Sequence, residues 1–152
     1  MKTKVLLLVL ALLLIASVSS FATGIGLQGG MDFLGNPYAS GLALSFKLDD
    51  LPMMFGLGWN FSGGVAIGAT ADWWFYNENL TGIIDYYLGL GLFGGFSTDG
   101  AGSFWLGPRG VAGLQIFVLD PLEIFIEVDP YLALLPSPKP GVQGAVGFRF
   151  WF

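Results

Sequence analysis

The stretch GVQGAVGFRFWF (141–152) closes the chain, and its reading decides the fold. Val142, Val146, Phe148, Phe150 and Phe152 alternate with Gln143, Gly147, Arg149 and Trp151. Strict period two marks a strand whose two faces meet different surroundings. Chain ends are usually polar and loose, so a terminal aromatic points to a strand held in a sheet.

The same alternation runs back through the chain seven more times. Ile25, Leu27, Met31 and Phe33 alternate with Gly24, Gly26, Gln28, Gly30 and Asp32. Leu42, Leu44, Phe46 and Leu48 oppose Gly41, Ala43, Ser45 and Lys47, and Phe55, Leu57, Trp59 and Phe61 oppose Gly56, Gly58 and Asn60. Val65, Ile67, Ala69, Ala71, Trp73 and Phe75 stand against Gly64, Gly68, Thr70 and Asp72. Leu80, Ile84, Tyr86, Leu88, Leu90 and Leu92 stand against Asp85, Tyr87, Gly89 and Gly91. The sixth run sets Ala112, Leu114, Ile116 and Val118 against Arg109, Gly113 and Gln115. The seventh sets Leu122, Ile124, Ile126 and Val128 against Glu123, Glu127 and Asp129, with Pro130 marking a bulge or an end. Turn residues fall between the runs: GNPYAS, DDLP, SGG, NEN, STDGAGS, LDP and LPSPKPG. This is one all-β unit of eight antiparallel up-and-down strands over residues 23–152.

A helical alternative exists at residues 51–71, which carry no charge and could span a bilayer. Pro52 and glycines 56, 58, 63, 64 and 68 each penalise a helix, glycine by about 1 kcal/mol relative to Ala. Period two also fits this segment better than 3.6.

Residues 1–22, MKTKVLLLVLALLLIASVSSFA, have a basic opening, an apolar run and a small-residue end suited to cleavage before Thr23. A signal peptide is expected there, since the run is short for an uncleaved anchor. No Cys follows, which excludes a lipid-anchored lipoprotein, disulfides and thiolate metal sites.

Composition is unusual for a water-soluble domain: 54% hydrophobic, 16% aromatic and only 11% charged, with 24 glycines. Average globular chains carry about 25% charged residues. Beyond residue 22 the bases are Lys47, Arg109, Lys139 and Arg149 against eleven acids. Nucleic acid is therefore not an expected partner.

Two architectures share the pattern. A soluble secreted or periplasmic barrel would turn the large apolar residues inward around an apolar small ligand. A membrane barrel would turn them outward over a polar or small-residue lumen. The small face is mostly glycine and alanine, a poor solvated surface but a good narrow lumen. Aromatics near run ends (Phe33, Phe46, Trp73, Phe75, Phe148, Phe150 and Phe152) suit an interfacial girdle. The expectation is a transmembrane barrel in the cell outer membrane. Its periplasmic turns fall at 49–53, 77–79 and 119–121, and its short outer connections at 34–40, 62–64, 93–108 and 135–141.

The lumen charges can then be paired by their distance from the strand ends. Arg149 is expected beside Glu123, and Arg109 beside Glu127, with Asp85 as a further acceptor. An eight-stranded barrel is just wide enough for side chains to fill, and Trp74, Tyr87, Phe125 and Trp151 are expected to plug it. A narrow pore is the alternative. Phe104, Trp105 and Leu106 lie beyond the clear strand and form a possible outer patch for an extracellular partner.

Through RGVAGLQIF, PLEIFIEVDP and GVQGAVGFRFWF the chain resembles a spirochaete family of small outer-membrane proteins similar to the eight-stranded OmpA/OmpX-type barrels. The resemblance covers roughly residues 55–152. It rests on Arg109-Gly110, Leu122-Glu123, Phe125, Glu127, Pro130 and Gly147-Phe148-Arg149. It implies an outer-membrane barrel presenting binding loops, and it supplies no catalytic residues. Gly147, Phe150 and Phe152 also resemble the C-terminal signal read by the outer-membrane assembly machinery. That signal usually has a polar residue where Ala145 stands.

Chemistry is sparse. GIGLQG (24–29) and GLGLFG (89–94) match G-x-G-x-x-G, but neither opens a helix, as phosphate binding requires. Asp49-Asp50 reads as a solvated turn rather than a metal site. The chain has no His, so Ser45, Ser62 and Ser103 lack the usual base. Glu123 and Glu127 read as ion-pair partners rather than an acid–base couple. No enzymatic activity, cofactor or metal is expected.

Overall fold

The computed structural model describes residues 23–34, 40–60, 65–98 and 103–152. The leader expected over 1–22 lies outside them, as do most of the turns expected at 34–40 and 62–64. The described chain forms β1 (Thr23–Asp32), β2 (Gly41–Leu48), β3 (Met53–Asn60), β4 (Ala66–Thr81), β5 (Ile84–Ser97), β6 (Ser103–Leu119), β7 (Leu122–Ala133) and β8 (Lys139–Trp151). Each strand pairs antiparallel with its neighbours in sequence, and β8 returns to β1 to close the barrel. Among the described residues no helix is long and apolar enough to cross a membrane. Residues 51–71 instead supply β3 and the start of β4.

Closure is made at the two ends of the described chain. Thr23 N–H donates to the Phe152 carbonyl at 3.3 Å, and Phe152 N–H donates back to Thr23 at 3.2 Å. Full closure leaves no unpaired strand edge. Following paired residues from Gly24 through Lys47, Met54, Asp72, Gly91, Arg109 and Tyr131 leads to Gly141. One circuit thus climbs from the foot of β1 to the head of β8, the stagger that a closed barrel of tilted strands requires.

The alternation sorts the side chains inside out relative to a soluble protein. Arg149, Glu123, Glu127, Asp72, Asp129 and Ser45 are almost fully buried, whereas Leu90, Leu92, Ile126 and Val146 are each more than half exposed. The soluble-carrier arrangement is therefore reversed: the apolar set faces outward. Met54, Trp74, Tyr87 and Val111 form a packed cluster within the lumen.

A register shift between Trp74 and Tyr76 inserts Phe75 as an extra residue in β4. Such bulges re-aim side chains, and here Phe75 and Tyr76 both point outward, edge to face at 5.4 Å.

Two expected turns move. β4 continues through residues 77–79 to Thr81, and the chain reverses at Gly82–Ile83. Gly82 has φ +56°, at the place where a II′ hairpin turn takes glycine. At the other end, β5 and β6 extend to Ser97 and from Ser103, so the connection expected over 93–108 is much shorter.

Candidate functional site

Lys47, Asp72, Arg109, Glu123, Glu127, Asp129 and Arg149 converge on the lumen, and glycines determine how they meet. Gly91 pairs with Asp72 on one side and with Arg109 on the other. Because Gly91 has no side chain, Arg109 reaches across it and places Nε 3.0 Å from Asp72 Oδ1. Its Nη2 lies 3.3 Å from Asp129 Oδ2. A Cβ at position 91 would overlap the Asp72 carboxylate.

The device recurs. Gly113 pairs with both Tyr87 and Glu127, and the Tyr87 ring leans over it to donate its hydroxyl to Glu127 Oε2 at 2.9 Å. Gly26 pairs with both Arg149 and Ser45, and Arg149 Nε donates across it to Ser45 Oγ at 2.8 Å. Tyr131 lies over Gly141 and donates to Asp32 on β1. Each of these four links over a glycine skips a strand, so a lumen of eight strands is tied together by side chains that would otherwise collide.

Nearest the chain ends, Arg149 Nη1 lies 2.5 Å from Glu123 Oε1. The indole of Trp151 donates to Glu123 Oε2 at 2.7 Å. The guanidinium also sits 3.8 Å above the Phe125 ring, a cation–π contact. Lys47 donates to the Leu48 carbonyl at 2.6 Å and lies 5.0 Å from the Trp74 ring. Trp74 stacks on Tyr87 at 3.7 Å. This half of the lumen is filled.

The structure therefore brings Arg149 and Glu123 together but separates Arg109 from Glu127. Register explains the correction: Arg109 pairs with Tyr131, while Glu127 lies opposite Gly113 further down β6. Asp72 and Asp129 take the expected place of Glu127. Asp85 is no partner of either arginine; it accepts from Asn79 Nδ2 at 2.8 Å in the β4–β5 hairpin. The outer patch is also divided. Phe104, Trp105 and Leu106 lie within β6, where Phe104 and Leu106 face outward and Trp105 is buried inside. Of the expected assembly residues, Phe150 and Phe152 face outward, and Gly147 faces inward beneath Phe125.

Asp72, Asp129 and Ser45 escape a sequence reading of the site. Each sits on the small-residue face of its run, which is the one signal that could have found them.

The half of the lumen away from the chain ends is not filled. It holds a cavity of about 90 Å³ bounded by Gln28, Thr70, Phe93, Trp105, Arg109, Asp129 and Tyr131 and by Gly30, Gly56, Gly58 and Gly68. Aromatic side chains of β5, β6 and β7 face glycine and alanine backbone of β1 to β4, and the space exists because those strands present so little side chain. The expected plug thus occupies one half of the barrel and leaves a pocket in the other.

No family model and no curated protein matches the sequence. Among solved structures, the chain is similar to the N-terminal β-barrel domain of Pseudomonas aeruginosa OprF, with TM-score 0.58 and 17% identity. That match covers 86% of this chain and 97% of the other. Neisserial surface protein A (NspA) also matches, with TM-score 0.48 and 18% identity, covering 86% of this chain and 95% of the other. The OprF likeness is one of fold, an eight-stranded antiparallel closed barrel.

Proposed function

We propose that the chain is an integral outer-membrane β-barrel without enzymatic activity, serving envelope structure or surface interaction. One observation carries this reading: most charged side chains of the strands are buried in the lumen, while the large apolar side chains of the alternate positions lie exposed on the outside. In water that arrangement would expose an apolar band around the whole barrel. In a bilayer the same band meets hydrocarbon, and every strand pairs with a neighbour on both sides within the closed sheet, as a membrane-spanning backbone requires. Phe75, Tyr76, Phe150 and Phe152 gather on the outer surface toward the chain ends, as an interfacial girdle requires.

Lipid is the principal partner on this reading. Phe150 and Phe152 remain available to an assembly machine as the last strand forms. The resemblance to the spirochaete outer-membrane family points the same way. Against catalysis, the chain has no His, and Ser45 is buried with its hydroxyl accepting from Arg149.

Cell fractionation tests the reading. The protein should stay with the outer membrane through alkaline and urea washes and come away only in detergent. Recovery in the soluble fraction would overturn it.

A further inference from the structure

We propose that the lumen cavity binds a small soluble primary ammonium, with Asp129, Thr70 and Gln28 as its acceptors. Three strands on different sides of the barrel each contribute one of these residues. Gln28 is 6% exposed and Asp129 1%. Gln28 Oε1, Thr70 Oγ1 and Asp129 Oδ1 have no hydrogen-bond partner among the described residues. Buried polar atoms are nearly always satisfied, and an –NH₃⁺ group offers three donors and no acceptor.

Charge selects in the same direction. Arg109 is held between Asp72 and Asp129, so one guanidinium faces two carboxylates. Across the buried residues, Asp32, Asp72, Glu123, Glu127 and Asp129 outnumber Lys47, Arg109 and Arg149. A buried uncompensated charge is expensive, and a bound cation relieves it where an anion would add to it. Among the described residues no three carboxylates are gathered as metal ligands, which favours an organic cation over a metal ion.

Size and access narrow the ligand further. The cavity of about 90 Å³ leaves room for a short alkyl chain beside the ammonium, for which Phe93 and Tyr131, in edge-to-face contact at 5.0 Å, form an apolar wall. The barrel wall is closed, so a lipid headgroup cannot enter from the side. The ammonium must arrive from water.

The test uses the full chain folded in detergent micelles, titrated with ethylammonium and followed by backbone amide NMR shifts. Saturable shifts at Gly58 and Gly68 are expected. Tetramethylammonium (charge without N–H) and 1-propanol (no charge) should each bind weaker by about tenfold or more, as loss of a hydrogen bond to a charged group implies. Asp129→Asn should weaken ethylammonium by a similar factor. Gly58→Leu should abolish the saturable shift by filling the space, since a Cβ at 58 meets only ordinary contacts. If Asp129→Asn fails to fold, Thr70→Val and Gly58→Leu carry the test. Absence of saturable shifts, equal binding of tetramethylammonium, or binding unaffected by the folded variants overturns the proposal.

Discussion

Arg109 and Asp72 meet across a strand to which neither belongs, Nε to Oδ1 at 3.0 Å, with Gly91 lying between them on β5. The contact depends on the missing side chain. Gly91→Ala should push the Asp72 carboxylate aside and lower stability by about 3–5 kcal/mol, the usual cost of breaking a buried ion pair. Gly58→Ala, whose Cβ would sit 3.5 Å from that of Ala43, should change stability by about 1 kcal/mol or less. Urea unfolding from lipid vesicles measures both.

Arg149 and Glu123 are both fully buried and 2.5 Å apart. Glu123→Leu alone should cost about 3–5 kcal/mol because it strands the guanidinium. The double variant Arg149→Met/Glu123→Leu should return close to wild type, because apolar replacement of a whole buried pair is often neutral. Additive losses in the same unfolding assay would contradict this.

Tyr87 contributes a ring to Trp74 and a hydroxyl to Glu127. Tyr87→Phe keeps the first and removes the second. A loss of about 1.5–3 kcal/mol is expected, the range for a hydrogen bond to a charged group. Lifetimes of the neighbouring amides in hydrogen exchange should shorten along β6 and β7 and change little in β1 and β2.

Depth along the outer surface should set the cost of an added charge. Leu90→Arg, on the outward face of β5, should destabilise by about 2–4 kcal/mol. Ile83→Arg, at the exposed tip of the β4–β5 turn, should cost about 1 kcal/mol or less.

The strands were legible in the sequence because period two needs no partner to be visible. Each of the eight strands carries one of the alternating runs, although Leu80, read with the fifth run, belongs to β4 before the turn, and even the inward set can be read from its glycines. Turn positions were less legible. Asn77-Glu78-Asn79 has turn chemistry, yet pairing with β5 carries the strand past it to Gly82.

The lumen network divides along the same line. Glu123 and Arg149 share a rung of adjacent strands, so distance from the strand ends places them side by side. Arg109 cannot be placed that way. Its β7 register follows a shift between Phe117 and Leu119, and its Asp72 partner is two strands away. A glycine between two charged residues reads locally as an absence, and only the closed register shows it to be a passage.

On the proposed reading the alternating apolar face meets lipid. The chain has no cysteine, so single Cys substitutions can carry spin labels along β7 without background. In bilayers, labels at positions 124, 126 and 128 should be accessible to oxygen dissolved in the acyl chains and shielded from a polar nickel chelate. The interleaved positions 125 and 127 should show neither accessibility, being packed inside. Chelate accessibility at 124, 126 and 128, or a profile without period two, would contradict the account.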